Sequence, residues 1–310
     1  MSRPEVMIHL PLPYYNSDQL IRTMTVLARR NPESGIHVPD PRLYQSMARH
    51  CLKEAPGRDS NAFLRRSLLD SMPAGARRMI LSFPGIPNAP SEIFSGDGVL
   101  PDLTIGARRI RQVFPDARVT ILIGVVNQGQ LLGSLIQAGA AGRSVLEAVL
   151  RGPGVYWHDA IGACRDELPQ VGMTVWKHED AVSLWPDLLN YCIGQDPQHT
   201  PPGALDMLTQ KLNEEGVQAL RDVLRRSPPV SRASITEIID TFSRSRKYAR
   251  RMKTDITVPG WTAEIEAHFD RLYQEDLQAL RSDQGLRVIT PHDPARMAAQ
   301  RTGLKEAQNA

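Results

Sequence analysis

Aromatic residues are scarce in this sequence: 6 Phe, 4 Trp and 7 Tyr make up 5% of 310 residues. The core is therefore expected to be aliphatic, built on Leu, Ile, Val and Ala. Cysteine is scarcer still, with only Cys51, Cys164 and Cys192, an odd number at no short repeated spacing. That argues against a disulfide framework or a Cys-rich zinc site and makes buried, reduced thiols the simpler reading. No apolar stretch approaches the roughly 18 residues of a membrane-spanning helix. The first residues, MSRPE, lead into a short apolar strand and not into a signal-peptide core. No membrane span is expected, and the cytoplasm is the default location. Excess charge of one sign is also missing, since 37 Lys and Arg against 34 Asp and Glu leave +3 at pH 7. Over this length so small a charge argues against a dedicated nucleic-acid binder, while leaving room for a local basic patch.

What is present is an ordinary globular composition, 41% hydrophobic and 23% charged, with length enough for one large α/β domain. Five apolar runs of strand length punctuate it: 5–10 (EVMIHL), 78–83 (RMILSF), 117–126 (ARVTILIGVV), 173–177 (MTVWK) and 286–290 (LRVIT). The third is almost uninterrupted, which suits a strand buried on both faces in a parallel sheet. Helical stretches lie between them, such as 18–30 with Leu20, Ile21, Met24 and Leu27 at helical spacing. This alternation predicts a doubly wound α/β sheet that binds ligands at the carboxyl ends of its strands, just after Leu10, Phe83 and Val126. Beyond residue 201, segments 204–226, 234–252 and 262–282 read as helices, the last capped by Thr262 with Glu264 in its first turn. The expected division is a 1–200 α/β core, then a 201–290 helical portion that packs on the core and returns a last strand. A polar, flexible 291–310 tail follows.

Four segments, in order, resemble bacterial sulfotransferase-family proteins, which use 3′-phosphoadenylyl sulfate as donor. They are 7–20 (MIHLPLPYYNSDQL), 80–83 (ILSF), 113–134 (opening VFPDARVTIL and ending at Ser134) and 157–185 (containing WKHED at 176–180). Segments 259–261 (PGW) and 272–277 (LYQEDL) resemble the family's C-terminal helix. The resemblance implies a P-loop-like three-layer sandwich, with a mainly parallel central sheet and a helical C-terminal portion. It also implies a donor site. The loop after the first strand would hold the 5′-phosphosulfate on backbone amides and a helix N-terminus, because oriented N–H groups suit an anion. A loop lysine would neutralise charge developing on the bridging oxygen. An arginine and a serine after the third strand would hold the 3′-phosphate.

On that mapping Tyr14 stands at the loop lysine, Tyr15 at the next threonine and Asn16 at the glycine, with Ser17 following. Val126 stands at the arginine, whereas Asn127 and Ser134 match. Two cations are thereby missing, each worth roughly 1.5–3 kcal/mol in charge-assisted hydrogen bonds. The expectation is a degenerate donor site: no tightly bound cofactor, and 3′-phosphoadenylyl sulfate as co-substrate if the chain is active.

Two functions follow. In the first, a sulfuryl group moves to a hydroxyl of a glycan or small molecule, with His9 or Glu92 as the base that takes the proton. In the second, a non-catalytic descendant binds a carbohydrate or a protein partner through the same cleft. A nucleotide-sugar transferase would need an Asp-x-Asp metal motif, which is not found. Each candidate residue also has a plainer reading: His9 as packed strand, Asn16, Ser17 or Asp18 as a helix cap, Ser134 as helix surface, Glu92 as a solvated loop carboxylate. His158 and His178 flank the fourth strand without metal-ligand spacing, so no metal site is expected. The basic run at 244–253 (RSRKYARRMK) reads as a solvated helix face or as a surface for a sulfated or phosphorylated glycan or acidic lipid. Oligomeric state is left open.

Overall fold

A computed structural model of the chain describes residues 3–13, 15, 18–54, 56–85, 88–95, 98–152, 154–250 and 256–291. The strands in chain order are β1 (Glu5–His9), β2 (Ile36–His37), β3 (Arg78–Ser82), β4 (Phe94–Ser95), β5 (Gly98–Val99), β6 (Arg118–Val125), β7 (Gly172–Lys177) and β8 (Arg287–Ile289). The helices of the first half are α1 (Gln19–Arg30), α2 (Pro41–Arg49), α3 (Arg58–Leu69), α4 (Leu103–Val113), α5 (Gln128–Gln137) and α6 (Arg143–Arg151). Those of the second half are α7 (Trp157–Glu167), α8 (Ala181–Ile193), α9 (Asp206–Lys211), α10 (Glu214–Arg226), α11 (Arg232–Ser243) and α12 (Ala263–Ser282).

Six strands form one sheet in the order β2-β3-β1-β6-β7-β8, and every pairing in it is parallel. β4 and β5 make a separate antiparallel pair. Side chains alternate across the sheet as the pleat requires. Val6, Ile8, Met79, Leu81, Val119, Ile121 and Ile123 face a large core with residues of α2–α7 and α12. Met7, Ile80, Leu122 and Trp176 face a second core with residues of α1, α8 and α9. Helices thus cover both faces, which gives a three-layer α/β fold and explains why the strands carry apolar residues at successive positions. A third, smaller core joins α9, α10 and α11 through Leu208, Leu212, Leu220, Ile235, Ile239 and Phe242. α12 returns to the first core through Phe269, Leu272, Tyr273, Leu277 and Leu280, and β8 then pairs with β7.

The helical portion departs from the sequence expectation in two places. Segment 204–226 is two helices, because Leu212 turns extended to bridge Ala249 and Asn213 caps α10 by accepting from the Gly216 amide. α11 ends at Ser243 instead of continuing to 252, and the chain folds back so that the Arg250 amide donates to the Lys211 carbonyl. The described part of the basic run, 244–250, is therefore non-helical; its residues 251–253 lie outside the described residues, as do 292–310 of the tail. Among the described residues no helix is long and apolar enough to cross a membrane.

The chain leaves β1 for α1 on one face of the sheet and leaves the adjacent β6 for α5 on the other. Parallel neighbours whose exits diverge open a crevice at their carboxyl ends. A small strand-end cleft lined by His9, Gly124, Trp176 and His178 lies there, with Asn127 at the adjoining end of α5.

Candidate functional site

The floor of the cleft is His9, the last residue of β1 and 2% exposed. Register sets it beside Ser82 of β3, and its Nδ1 lies 3.3 Å from the Ser82 hydroxyl. Its ring stacks on Trp176 with centroids 6.1 Å apart. Trp176 reaches across β6 because its register partner there is Gly124, where a Cβ would stand 2.8 Å from the indole Nε1. Burial, and next the proximity of His178, pull the His9 imidazole down to about 3. His9 is thus a neutral packed ring at physiological pH.

The wall is the N-terminus of α5. Asn127 caps it, its side-chain oxygen accepting from the amides of Gly129 (2.9 Å) and Gln130 (3.2 Å). The Asn127 amide itself donates to Glu179 Oε1 at 3.0 Å. The other oxygen of Glu179 accepts a 2.6 Å hydrogen bond from the Tyr273 hydroxyl, which also reaches the Val125 carbonyl at 3.2 Å. Burial and then the Glu179 charge push the Tyr273 phenol far up, so it stays a donor. Asn127 Nδ2 is fixed in turn by Asp270 of α12 at 2.8 Å. Three amides at this helix end are therefore satisfied from within the chain, and the carboxylate among their acceptors complements the positive end of the helix dipole.

Over the cleft lies Tyr15, whose ring meets His178 edge-on at 5.6 Å. Its hydroxyl lies near Ser134, whose Oγ donates to the Gln130 carbonyl at 2.8 Å. Burial raises the Tyr15 phenol to about 12, against the neighbouring Ser134 hydroxyl and with the Glu179 charge. His178 follows β7 and is lowered to about 4 by burial and then by the charge of Lys211, against a hydrogen bond with the Tyr15 backbone. Lys211, the last residue of α9, is lowered by its own burial and held up by Glu179. A lysine, a carboxylate, two neutral histidines and two tyrosines thus converge at the ends of β1, β6 and β7.

Of the residues expected from sequence, the fold brings together His9, Tyr15, Asn127 and Ser134. Tyr14, Asn16 and Ser17 lie outside the described residues. Asp18 occupies the α1 N-cap position without a side-chain cap and pairs with Arg22 instead. Glu92 binds Lys53 at 2.5 Å and the Ala89 amide at 3.0 Å. The lysine hydrogen bond and then the amide hold its carboxyl below the usual range. Val126, mapped to the 3′-phosphate arginine, is fully buried in the large core, and its carbonyl accepts from Trp157 Nε1. His158 donates toward buried Asp276. Glu179, Tyr273 and Lys211 were not among the candidates. Glu179 and Tyr273 fall inside segments quoted for the resemblance, but nothing in the local pattern marks Lys211. Among the described residues no cluster of three His, Cys, Asp or Glu could hold a metal ion.

No protein-family model matches the chain, and no curated protein matches it. Among solved structures it is similar to a sulfotransferase from Alicyclobacillus acidocaldarius, at 14% identity with a TM-score of 0.37. That match covers 79% of this chain and all of the other. The functional reading consequently rests on the geometry of the cleft.

Proposed function

We propose that the chain is a sulfotransferase-like binding protein whose strand-end cleft takes a carbohydrate or similar polyhydroxyl ligand without using 3′-phosphoadenylyl sulfate. One observation carries this reading: Glu179 accepts from the Asn127 amide, so a carboxylate stands next to Val126, the position mapped to the 3′-phosphate arginine. A phosphate brought there would meet a carboxylate at hydrogen-bond range, where like charges repel. The groups facing the cleft, Tyr15, Ser134 and Glu179, suit hydroxyl ligands, which both donate and accept. In this reading no sulfuryl-transfer step is assigned to the residues.

Lys211 favours a second reading, sulfuryl transfer, because it brings a partly desolvated cation near Glu179 and His178, while the sequence mapping leaves a tyrosine at the loop lysine. A conformer with Glu179 turned onto Lys211 would free the Asn127 amide. Titration with 3′-phosphoadenosine 5′-phosphate separates the two. The binding-protein reading expects no heat from the cleft at millimolar nucleotide. Micromolar binding that Ser134→Ala or Lys211→Ala abolishes would establish the transferase site instead.

A further inference from the structure

A second concave site lies between α3 and α4 and shares no residue with the strand-end cleft. It is a groove of about 830 Å³, whose lining includes Arg58, Asn61, Arg65, Arg108, Arg109 and Gln112. The placement follows from helical periodicity. Arg58, Asn61, Ala62 and Arg65 stand at i, i+3, i+4 and i+7 on α3, and Ile105, Arg108, Arg109 and Gln112 repeat that spacing on α4. Each helix turns a different stripe to the core, Leu64 and Leu68 on α3 and Leu103, Ala107, Ile110 and Val113 on α4. Where two adjacent helices face each other, such stripes are ordinarily apolar or paired in charge. Here they carry four arginines and two amides, and no carboxylate lines the groove.

The cations are only partly answered. Arg108 pairs with Glu167, and Arg109 donates to the Leu52 carbonyl at 2.8 Å. Among the described residues the side chains of Arg58 and half-buried Arg65 make no hydrogen bond or ion pair. Asn61 Oδ1 is buried without a donor. Arg58 and Arg65 stand about 10 Å apart along the helix at 1.5 Å per residue, a spacing that suits separate anionic groups of one ligand. Apolar atoms of Pro56, Ala62, Ile105 and Pro115 complete the lining, as suits the body of an organic molecule.

We infer that the α3–α4 groove binds a small organic polyanion carrying at least two phosphate or sulfate groups. Guanidinium groups on both walls engage those groups bidentately, and a ligand hydroxyl reaches Asn61. The inference is independent of the cleft, and a nucleotide bound here would be insensitive to Ser134→Ala.

The test is calorimetric titration of the full chain, at about 50 mM salt to limit screening, with inositol hexakisphosphate in one arm and sucrose octasulfate in the other. Binding is expected in at least one arm, and the tighter arm identifies the ester class. Arg58→Gln with Arg65→Gln should weaken it by about tenfold or more, with the fold confirmed by circular dichroism. Should that pair unfold, Ala62→Glu, which sets a carboxylate between the stripes, should abolish binding. Arg244→Gln with Arg246→Gln, in the separate basic run, should leave it unchanged. No binding of either probe at millimolar concentration overturns the inference. So does binding that survives both groove variants, or that is lost equally in the control.

Discussion

Glu179 shows how one side chain can fill the donors at a strand-end site. It is exposed at the surface of the cleft, yet both carboxylate oxygens are engaged, by the Asn127 amide and the Tyr273 hydroxyl. Glu179→Gln keeps one acceptor and removes the charge. Affinity for 3′-phosphoadenosine 5′-phosphate should therefore rise by about tenfold or more relative to the parent chain, measured by calorimetry. His9 and His178 make a separate prediction. Their imidazoles are held at about 3 and about 4 when folded, against about 6.5 in the unfolded chain. Between those values the unfolded state binds more protons, so stability is full above about pH 7 and falls as pH drops from about 6.5 toward 4. Urea unfolding at a series of pH values should show that loss, on the order of a few kcal/mol. His9→Gln with His178→Gln should flatten the slope between about pH 6.5 and 4.5, above the range of ordinary carboxylates. An unchanged slope would mean that these rings are not buried as described.

Elements meet in this fold through a few close or polar contacts that can be removed singly. α12 lies so near α5 that a Cβ on Gly129 would stand 2.7 Å from Phe269. Gly129→Ala should lower stability by about 1–3 kcal/mol through overpacking, read as a shift in denaturant midpoint. It should also disturb the cleft wall, since Asp270 of the same helix fixes Asn127. Asp276, wholly buried on α12, accepts from the amides of Trp157 and His158 at the start of α7, and from Gln128 Nε2 and His158 Nδ1. Asp276→Ala strands those donors and should cost about 3 kcal/mol or more by the same measurement. Long elements of this kind were legible in the sequence. The five apolar runs became β1, β3, β6, β7 and β8 within a residue or so at either end, because strands covered on both faces must be apolar throughout. Two-residue β2 and the β4–β5 pair are too short to show a period. The break at Leu212 and Asn213 was hidden because it is decided by contact with residues 247–249, which no local window contains.

At the scale of the molecule, topology carries the site and the site's chemistry comes from afar. The exits from β1 and β6 diverge just after Leu10 and Val126, two of the three strand ends singled out from sequence. Four of the eight residues singled out meet there or along the cleft walls, and Glu92 does not join them. The residues that alter its chemistry were not legible, since Glu179 reaches Asn127 across 52 positions and Tyr273 reaches Glu179 across 94. An i, i+7 pattern of arginines on α3 was visible in the sequence, but its counterpart on α4 matters only once the two helices lie side by side. The central claim is that the anion position of the cleft is filled from within. It is tested most directly by titrating 3′-phosphoadenosine 5′-phosphate into the Arg58→Gln, Arg65→Gln chain, with and without Glu179→Gln. The account predicts no binding at millimolar nucleotide until Glu179 is changed, and measurable binding afterwards. Micromolar binding with Glu179 intact, lost on Ser134→Ala, would contradict it.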